Sequence, residues 1–176
     1  GMTPQDVLDK INAESIRLVD IRFCDMFGTW HHFTVPSGLI DEDVFTEGLG
    51  FDGSSIRGWK TIDESDMIAV PDPNTFQMLP FRPQGGQAVA RMFCDILTPA
   101  GTPFEGDPRN ILRRNLERAG DLGYTYYVGP ELEYFYFKNA ESTEPLDSGG
   151  YFDQTPLDVA TDLRRETVLA LEEMGI

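Results

Sequence analysis

Two glutamates, Glu131 and Glu133, stand two apart in the run GPELEYFYFK. Side chains alternate along a strand, so both carboxylates would point to one side, roughly 6–7 Å apart by the usual rise. Carboxylates so placed are hard oxygen ligands of the kind Mg²⁺ and Mn²⁺ prefer. On that same side follow Phe135 and Phe137, while Leu132, Tyr134 and Tyr136 take the other. An acidic face that runs into an aromatic one is expected where a strand leaves a core and enters a cleft. A solvated strand end accounts for the same residues, and spacing alone leaves both readings open.

A second candidate is FDGSSIRGW, from Phe51 to Trp59. Asp52 is followed by Gly53, Ser54 and Ser55, residues that fill a core poorly but present backbone and hydroxyls well to another group. A surface loop is the plain alternative. His31 and His32 are strand neighbours, so they face opposite ways, which disfavours a shared metal site and favours structural histidines. Cys24 and Cys94 sit in the similar contexts RFCD and MFCD, and their number and spacing match no zinc motif. They read as reduced core thiols.

The elements that must hold these residues can be read from capping and periodicity. Thr3-Pro4, Asp107-Pro108 and Thr155-Pro156 each place a capping side chain before a proline, a pairing suited to the first turn of a helix. They predict helices over 4–13, 108–121 and 156–174. The second would align Ile111, Leu112, Leu116 and Ala119; the third would align Val159, Leu163, Ala170, Leu171 and Met174. Ile16–Phe23 and Trp30–Val35 predict a hairpin, and Met67–Val70, Phe76–Pro80 and Ala88–Leu97 predict further strands between turns such as PDPN and RPQGG. The result is an α+β chain: a small mixed sheet with one helix over 1–99, a turn-rich linker at TPAGTPFEGDP, and a second domain over 104–176. That second domain would hold a long strand, Tyr124–Lys138, and two helices. One strand and two helices cover the faces of a sheet poorly, so 104–176 reads as the opening of a larger domain.

Composition limits the partners. With 40% hydrophobic and 25% charged residues the chain is globular in character. Fourteen basic residues against thirty acidic ones give a net charge of −16, which repels nucleic acid and anionic membrane surfaces. No apolar run approaches the roughly 20 residues of a membrane span, and the N-terminal stretch has no apolar signal region, so a cytoplasmic protein is expected.

Four ordered blocks carry a resemblance: VDIRFCDMFGTWHHFTVP; FDGSSIRGW with IDESDM and PDP; GPELEYFYF; and GGYFDQTPLDVATDLRRETVLALEEMG. In order and mutual distance they resemble the N-terminal portion of type I glutamine synthetases, ATP-dependent ligases that join ammonium to glutamate. The resemblance implies an N-terminal β-grasp (ubiquitin-like) domain followed by the beginning of the family's catalytic α/β domain. It implies homo-oligomeric rings in which one subunit's small domain completes a site on its neighbour, so FDGSSIRGW would be lent across an interface. By motif, Asp52 would attract ammonium and take its proton, with Ser55 and Tyr151 lining the same pocket. Glu133 would ligate the metal nearest glutamate, Glu131 the metal on the nucleotide phosphates, and Trp59 would lie close to the nucleotide. Mg²⁺ or Mn²⁺ is the implied cofactor; ATP, glutamate and ammonium are the implied substrates.

Leu132 departs from the proline or alanine often found between the two glutamates. The family's remaining metal ligands, its phosphate-gripping arginines and its flap glutamate fall outside these 176 residues. One ligand per metal is too few for cations that take about six oxygens, so the chain alone is expected to bind Mg²⁺ weakly and to make no glutamine. Two other classes fit the same blocks: a non-catalytic β-grasp interaction module, and a related ligase that joins glutamate to a polyamine.

Overall fold

The computed structural model describes residues 1–59, 64–81 and 85–176. Ile62 and Asp63 of IDESDM, and Arg82, Pro83 and Gln84 of the RPQGG turn, lie outside the described residues. The described residues divide into two compact units, Gly1–Tyr126 and Tyr127–Ile176.

The first unit opens with helix α1, Pro4–Ala13. Thr3 caps it as its sequence predicts: the Asp6 amide donates to Thr3 Oγ1 at 3.2 Å, and the Thr3 amide donates to Asp6 Oδ2 at 2.8 Å. Its buried stripe, Val7 and Ile11, faces a mixed sheet. Strands β1 (Ile16–Cys24) and β2 (Trp30–Pro36) form the predicted hairpin. β3 (Leu49–Asp52), β4 (Asp66–Pro71), β5 (Gln77–Met78) and β6 (Ala88–Leu97) complete the sheet in the order β2-β1-β6-β4-β3, with β5 on β6. β1 and β6 run parallel, so the sheet is mixed, as expected. Alternate residues of β6, from Ala88 to Ile96, are buried, the period of a sheet with one covered face. Val19, Ile21, Met67, Met92 and Ile96 are almost wholly enclosed. Each contributes about 1.5–3 kcal/mol relative to exposure.

Two features were not foreseen. β3 occupies part of the stretch expected to be a loop, and the one-turn helix α2 (Val44–Glu47) precedes it. Gly48 joins them at φ +74°, where a Cβ would stand 2.4 Å from Ile68 Cγ2 and 2.8 Å from the Ala69 carbonyl oxygen. Only glycine permits that approach of helix to strand.

Helix α3, Pro108–Asp121, closes the unit. Asp107 caps it from a buried position: Oδ1 accepts from the Arg109 amide at 3.0 Å and Oδ2 from the Ile96 amide at 2.9 Å. One carboxylate thus ties helix to sheet. Burial is the largest influence on Asp107 and raises its pKa, outweighing the two backbone donors. Arg109 spans Asp72 at 2.6 Å and Asp95 at 3.3 Å, and Arg113 reaches Asp95 at 2.7 Å. The expected apolar face of α3 is uncovered in this unit, with Leu112 and Leu116 exposed.

The second unit corrects two expectations. No strand forms over Tyr124–Lys138; among the described residues the only pairing there is the isolated bridge of Phe137 with Pro145. Strand needs a ladder partner for its backbone donors and acceptors. Among the described residues only 144–146 lie alongside, with Lys138 N donating to Glu144 O at 3.0 Å and Leu146 N to Tyr136 O at 2.8 Å. The last helix, α4, runs Thr161–Glu173 and does not start at Pro156. Asp158 ends the preceding turn instead: its carboxylate accepts from the Ala160 amide at 3.0 Å and the Thr161 hydroxyl at 2.7 Å and pairs with Arg164. Those contacts fix the chain five residues beyond the Thr155-Pro156 signal. No helix among the described residues is long and apolar enough to cross a membrane.

Candidate functional site

The FDGSSIRGW stretch is anchored on one side and open on the other. Phe51, Ile56 and Trp59 turn inward, whereas Asp52, Ser55 and Arg57 are exposed. Phe23 on β1 is the hub: its ring centroid lies 5.0 Å from Phe51, 5.5 Å from Trp59 and 5.5 Å from His31. Phe104 adds an edge-on contact to Trp59 at 5.1 Å. β3 pairs antiparallel with β4, placing Asp52 opposite Asp66, and the chain then turns through Gly53–Ser55. Asp52 therefore sits where a strand becomes a tight turn held by aromatic packing beneath it.

Asp52 Oδ1 accepts from the Ser54 hydroxyl at 2.6 Å and the Ser54 amide at 2.8 Å. The Ser54 hydroxyl bond is the largest of the influences that hold its pKa below the usual carboxylate value. Ser54, which the sequence did not single out, is thus the residue that fixes the charge and orientation of Asp52. An ionised, oriented and exposed carboxylate suits a small cation. Ser55 ends the same turn with its side chain exposed. Trp59 is buried, and its Nε1 has no hydrogen-bond partner among the described residues.

In the second unit a cleft of about 550 Å³ is lined by Glu133, Tyr134, Tyr136, Asp147, Tyr151 and Arg164, among others. Glu133 and Tyr151 thus meet on one cleft, and Glu131 is not part of its lining. Leu132, expected to point away, lines the cleft beside Glu133. An unpaired segment is not bound to the two-sided alternation of a strand. The Tyr134 and Tyr136 hydroxyls lie 3.3 Å apart. Asp147 holds the Val159 amide at 2.8 Å, tying the cleft loop to the approach of α4. Arg164 is the cation of the lining and is steered by Asp158. Neither Asp147 nor Arg164 stood out in the sequence, because each joins the cleft through a loop closure that no spacing rule encodes.

Glu131, Glu133 and Asp147 offer the oxygen donors a hard divalent cation takes. No group of three acidic, histidine or cysteine side chains gathered tightly enough to hold a metal occurs among the described residues. The donor set fits Mg²⁺ or Mn²⁺ in kind and falls short in number. The two histidines face opposite ways, as expected: His31 is structural, with Nε2 2.8 Å from Asp25, whereas His32 is exposed on the other face. Both cysteines are free, Cys94 buried and Cys24 half-buried, and burial raises each thiol's pKa.

Sequence models of the glutamine synthetase β-grasp domain and of the glutamine synthetase catalytic domain match residues 15–99 and 105–176. The chain belongs to the glutamine synthetase family. It is 46% identical to glutamine synthetase of Mycolicibacterium smegmatis over 97% of its own length, and 44% identical to that of Halobacterium salinarum over 96%. The glutamine synthetase of Thermotoga maritima is also 44% identical, over 99%. The chain spans only 38% to 40% of the lengths of these relatives. Among solved structures, a Plasmodium falciparum glutamine synthetase superposes on the whole chain with a TM-score of 0.77 at 19% identity, and the chain covers 41% of it. That likeness concerns the fold. A GmaS/ADP complex matches 69% of this chain and 26% of its own, with a TM-score of 0.59 and 29% identity. The α+β reading with an N-terminal β-grasp domain is therefore correct for this glutamine synthetase segment.

Proposed function

We propose that this chain supplies the ammonium-holding turn and the first metal-binding carboxylates of an ATP-dependent glutamate–ammonia ligase. The reading assigns 1–99 and 104–176 as its working domains, a cytoplasmic setting, and ATP, glutamate and ammonium as substrates. The observation that carries it is Asp52: exposed, ionised by its Ser54 contacts, and held on an aromatically anchored turn.

Glutamate's γ-carboxylate is first activated by transfer of the ATP γ-phosphoryl group, giving an acyl phosphate and ADP. Ammonia then attacks the acyl carbon; the C–N bond forms, the C–O bond to phosphate breaks, and inorganic phosphate leaves. Asp52 attracts NH₄⁺ and accepts one of its protons, releasing the lone pair that attacks. Its lowered pKa favours holding the cation over taking the proton, so the proton transfer is uphill and is drawn forward by the attack that consumes the ammonia. Ser55 and Tyr151 are assigned to the same ammonium pocket. Glu133 and Glu131 would hold Mg²⁺ or Mn²⁺, which when bound offsets phosphate charge and positions the transferred group. Trp59 acts toward the nucleotide by positioning, since its buried ring sets where the exposed part of the turn lies.

The reading places Asp52 of one subunit in the site of a neighbour within a ring. Complementation tests it in the whole protein. Asp52→Ala and Glu133→Ala should each abolish glutamine formation, and co-assembled mixtures of the two should regain part of it. Mixed assemblies that stay as inactive as either variant would overturn the shared site.

A further inference from the structure

The outer face of the N-terminal sheet, turned away from α1, carries a cleft of about 410 Å³ lined by Arg22, Trp30, His31, His32 and Phe93. It belongs to the first unit alone and does not depend on the ligase reading. The sheet register explains its composition. Arg22 on β1 lies between His32 on β2 and Phe93 on β6, and Trp30 lies beside Cys24 one pleat along. Side chains of paired residues share a face, so one cation, one imidazole and two aromatic rings meet there. Trp30 is exposed although its ring lies 5.0 Å from Phe93. A large exposed aromatic beside a guanidinium is a stacking platform.

The cationic groups here are held in place. Arg22 Nη2 donates to Asp20 Oδ2 at 2.9 Å, and Asp20 Oδ1 is fixed by the Thr34 hydroxyl at 2.8 Å. On β6, Arg91 lies over Phe93 with its guanidinium carbon 4.4 Å from the ring centroid, and it donates to the Thr75 carbonyl. Among the described residues Arg91 has no carboxylate partner within ion-pair distance. Burial is the main cause lowering its pKa, with the charge of Arg22 adding to it. Arg22 is paired with Asp20, so the Arg91 guanidinium adds an uncompensated positive charge beside that pair, on a protein whose net charge is −16. A local positive excess on so acidic a surface draws small anions to that spot. The pinned guanidinium loses little freedom on binding.

We propose that this cleft binds a small planar aromatic ring bearing one anionic head, with the ring stacked on Trp30 and the head on Arg22 and His32. A rigid ring suits the two aromatic walls, and a planar carboxylate suits the fork of an arginine. An extended acidic peptide suits it less, because Asp20 and Asp95 lie on the same face and would repel successive carboxylates.

The test is calorimetric titration of the whole protein with 2-naphthoate, beside 2-naphthamide, which lacks the charge, and cyclohexanecarboxylate, which lacks the aromatic ring. Naphthoate should bind saturably, and each control at least about tenfold more weakly. Trp30→Ala should weaken naphthoate about tenfold or more, and the exposure of Trp30 lets that variant keep a native melting profile. His32→Ala, at another exposed position, should weaken naphthoate with no effect on the amide. Arg22→Gln should bring the affinities for naphthoate and naphthamide together. Equal binding of naphthoate and naphthamide to the wild type, or naphthoate affinity unchanged by Trp30→Ala, would overturn the assignment, as would an absence of saturable naphthoate binding.

Discussion

The indole of Trp59 stacks on the ring of Phe23, with centroids 5.5 Å apart and planes inclined by 28°. This contact fastens the far end of the Asp52 turn to the central part of the sheet, since β1 is paired on both sides. Trp59→Ala should cost about 3–5 kcal/mol, the usual range for emptying a buried aromatic site. Trp59→Phe should cost clearly less, because the lost indole N–H has no partner to leave stranded. Urea unfolding compares them, and equal losses for the two variants would show that the ring stack is not what anchors the turn.

Asp107 makes a second prediction, because one buried side chain satisfies amides from two elements. Asp107→Ala removes a helix cap, worth about 0.5–2 kcal/mol, and strands the buried Ile96 amide, worth about 1–3 kcal/mol. A combined loss of about 1.5–5 kcal/mol is expected in chemical denaturation. Hydrogen exchange should quicken at both Ile96 and Arg109. Faster exchange at Arg109 alone would mean that the carboxylate acts only as a cap.

Acid should weaken the fold, and the sign follows from each shift. The His31 hydrogen bond is the largest influence on Asp25 and lowers its pKa. For Asp72 the largest influence, burial, raises the pKa, but Arg109 and Asn74 outweigh it and the net shift is downward. Stability from both is present above the unfolded value of 3.8 and is lost as pH falls below it and through the lowered folded value. Asp107 has the opposite shift, so its contribution improves as pH falls toward 3.8. Thermal midpoints measured from about pH 5 to about pH 3 should fall. The fall should be shallower in Asp25→Asn and steeper in Asp107→Asn; parallel curves for all three proteins would contradict the assignment.

Arg109 and Arg113 look alike in sequence but differ in setting. Arg109 is the less exposed and bridges Asp72 and Asp95, whereas Arg113 reaches Asp95 alone from a more open position. Replacing Arg113 with alanine should change stability by less than about 1 kcal/mol, as for exposed ion pairs. Arg109→Ala leaves Asp72 without its ion-pair partner and Asp95 with Arg113 alone, and should cost about 1–3 kcal/mol. A double-mutant cycle would show coupling through Asp95, and strict additivity would deny it.

A fifth prediction concerns metal. Glu131, Glu133 and Asp147 are too few donors to saturate a divalent ion, so the 176-residue chain alone should bind Mn²⁺ weakly, with affinity lowered further in Glu133→Gln. Electron paramagnetic resonance of free Mn²⁺ measures this directly. Tight stoichiometric binding, or binding indifferent to Glu133→Gln, would contradict it.

Residue order alone determined what depends on neighbours a few positions apart. Thr3 and Asp6 cap α1, Pro108 starts α3, and the alternation of Ala88 to Leu97 makes β6, since capping and pleat are local rules. The FDGSSIRGW block likewise announced an aspartate at a turn. Tertiary structure decided what depends on partners distant in the chain. Tyr124–Lys138 has the composition of a strand, but a strand exists only where another backbone runs beside it. Likewise Thr155-Pro156 carries a helix-start signal, but Asp158 and Arg164 fix the start of α4 at Thr161. The inward turn of Trp59, the double duty of Asp107 and the cationic cleft at Arg22 each require residues brought together across the sheet. No spacing along one stretch of chain encodes such a meeting.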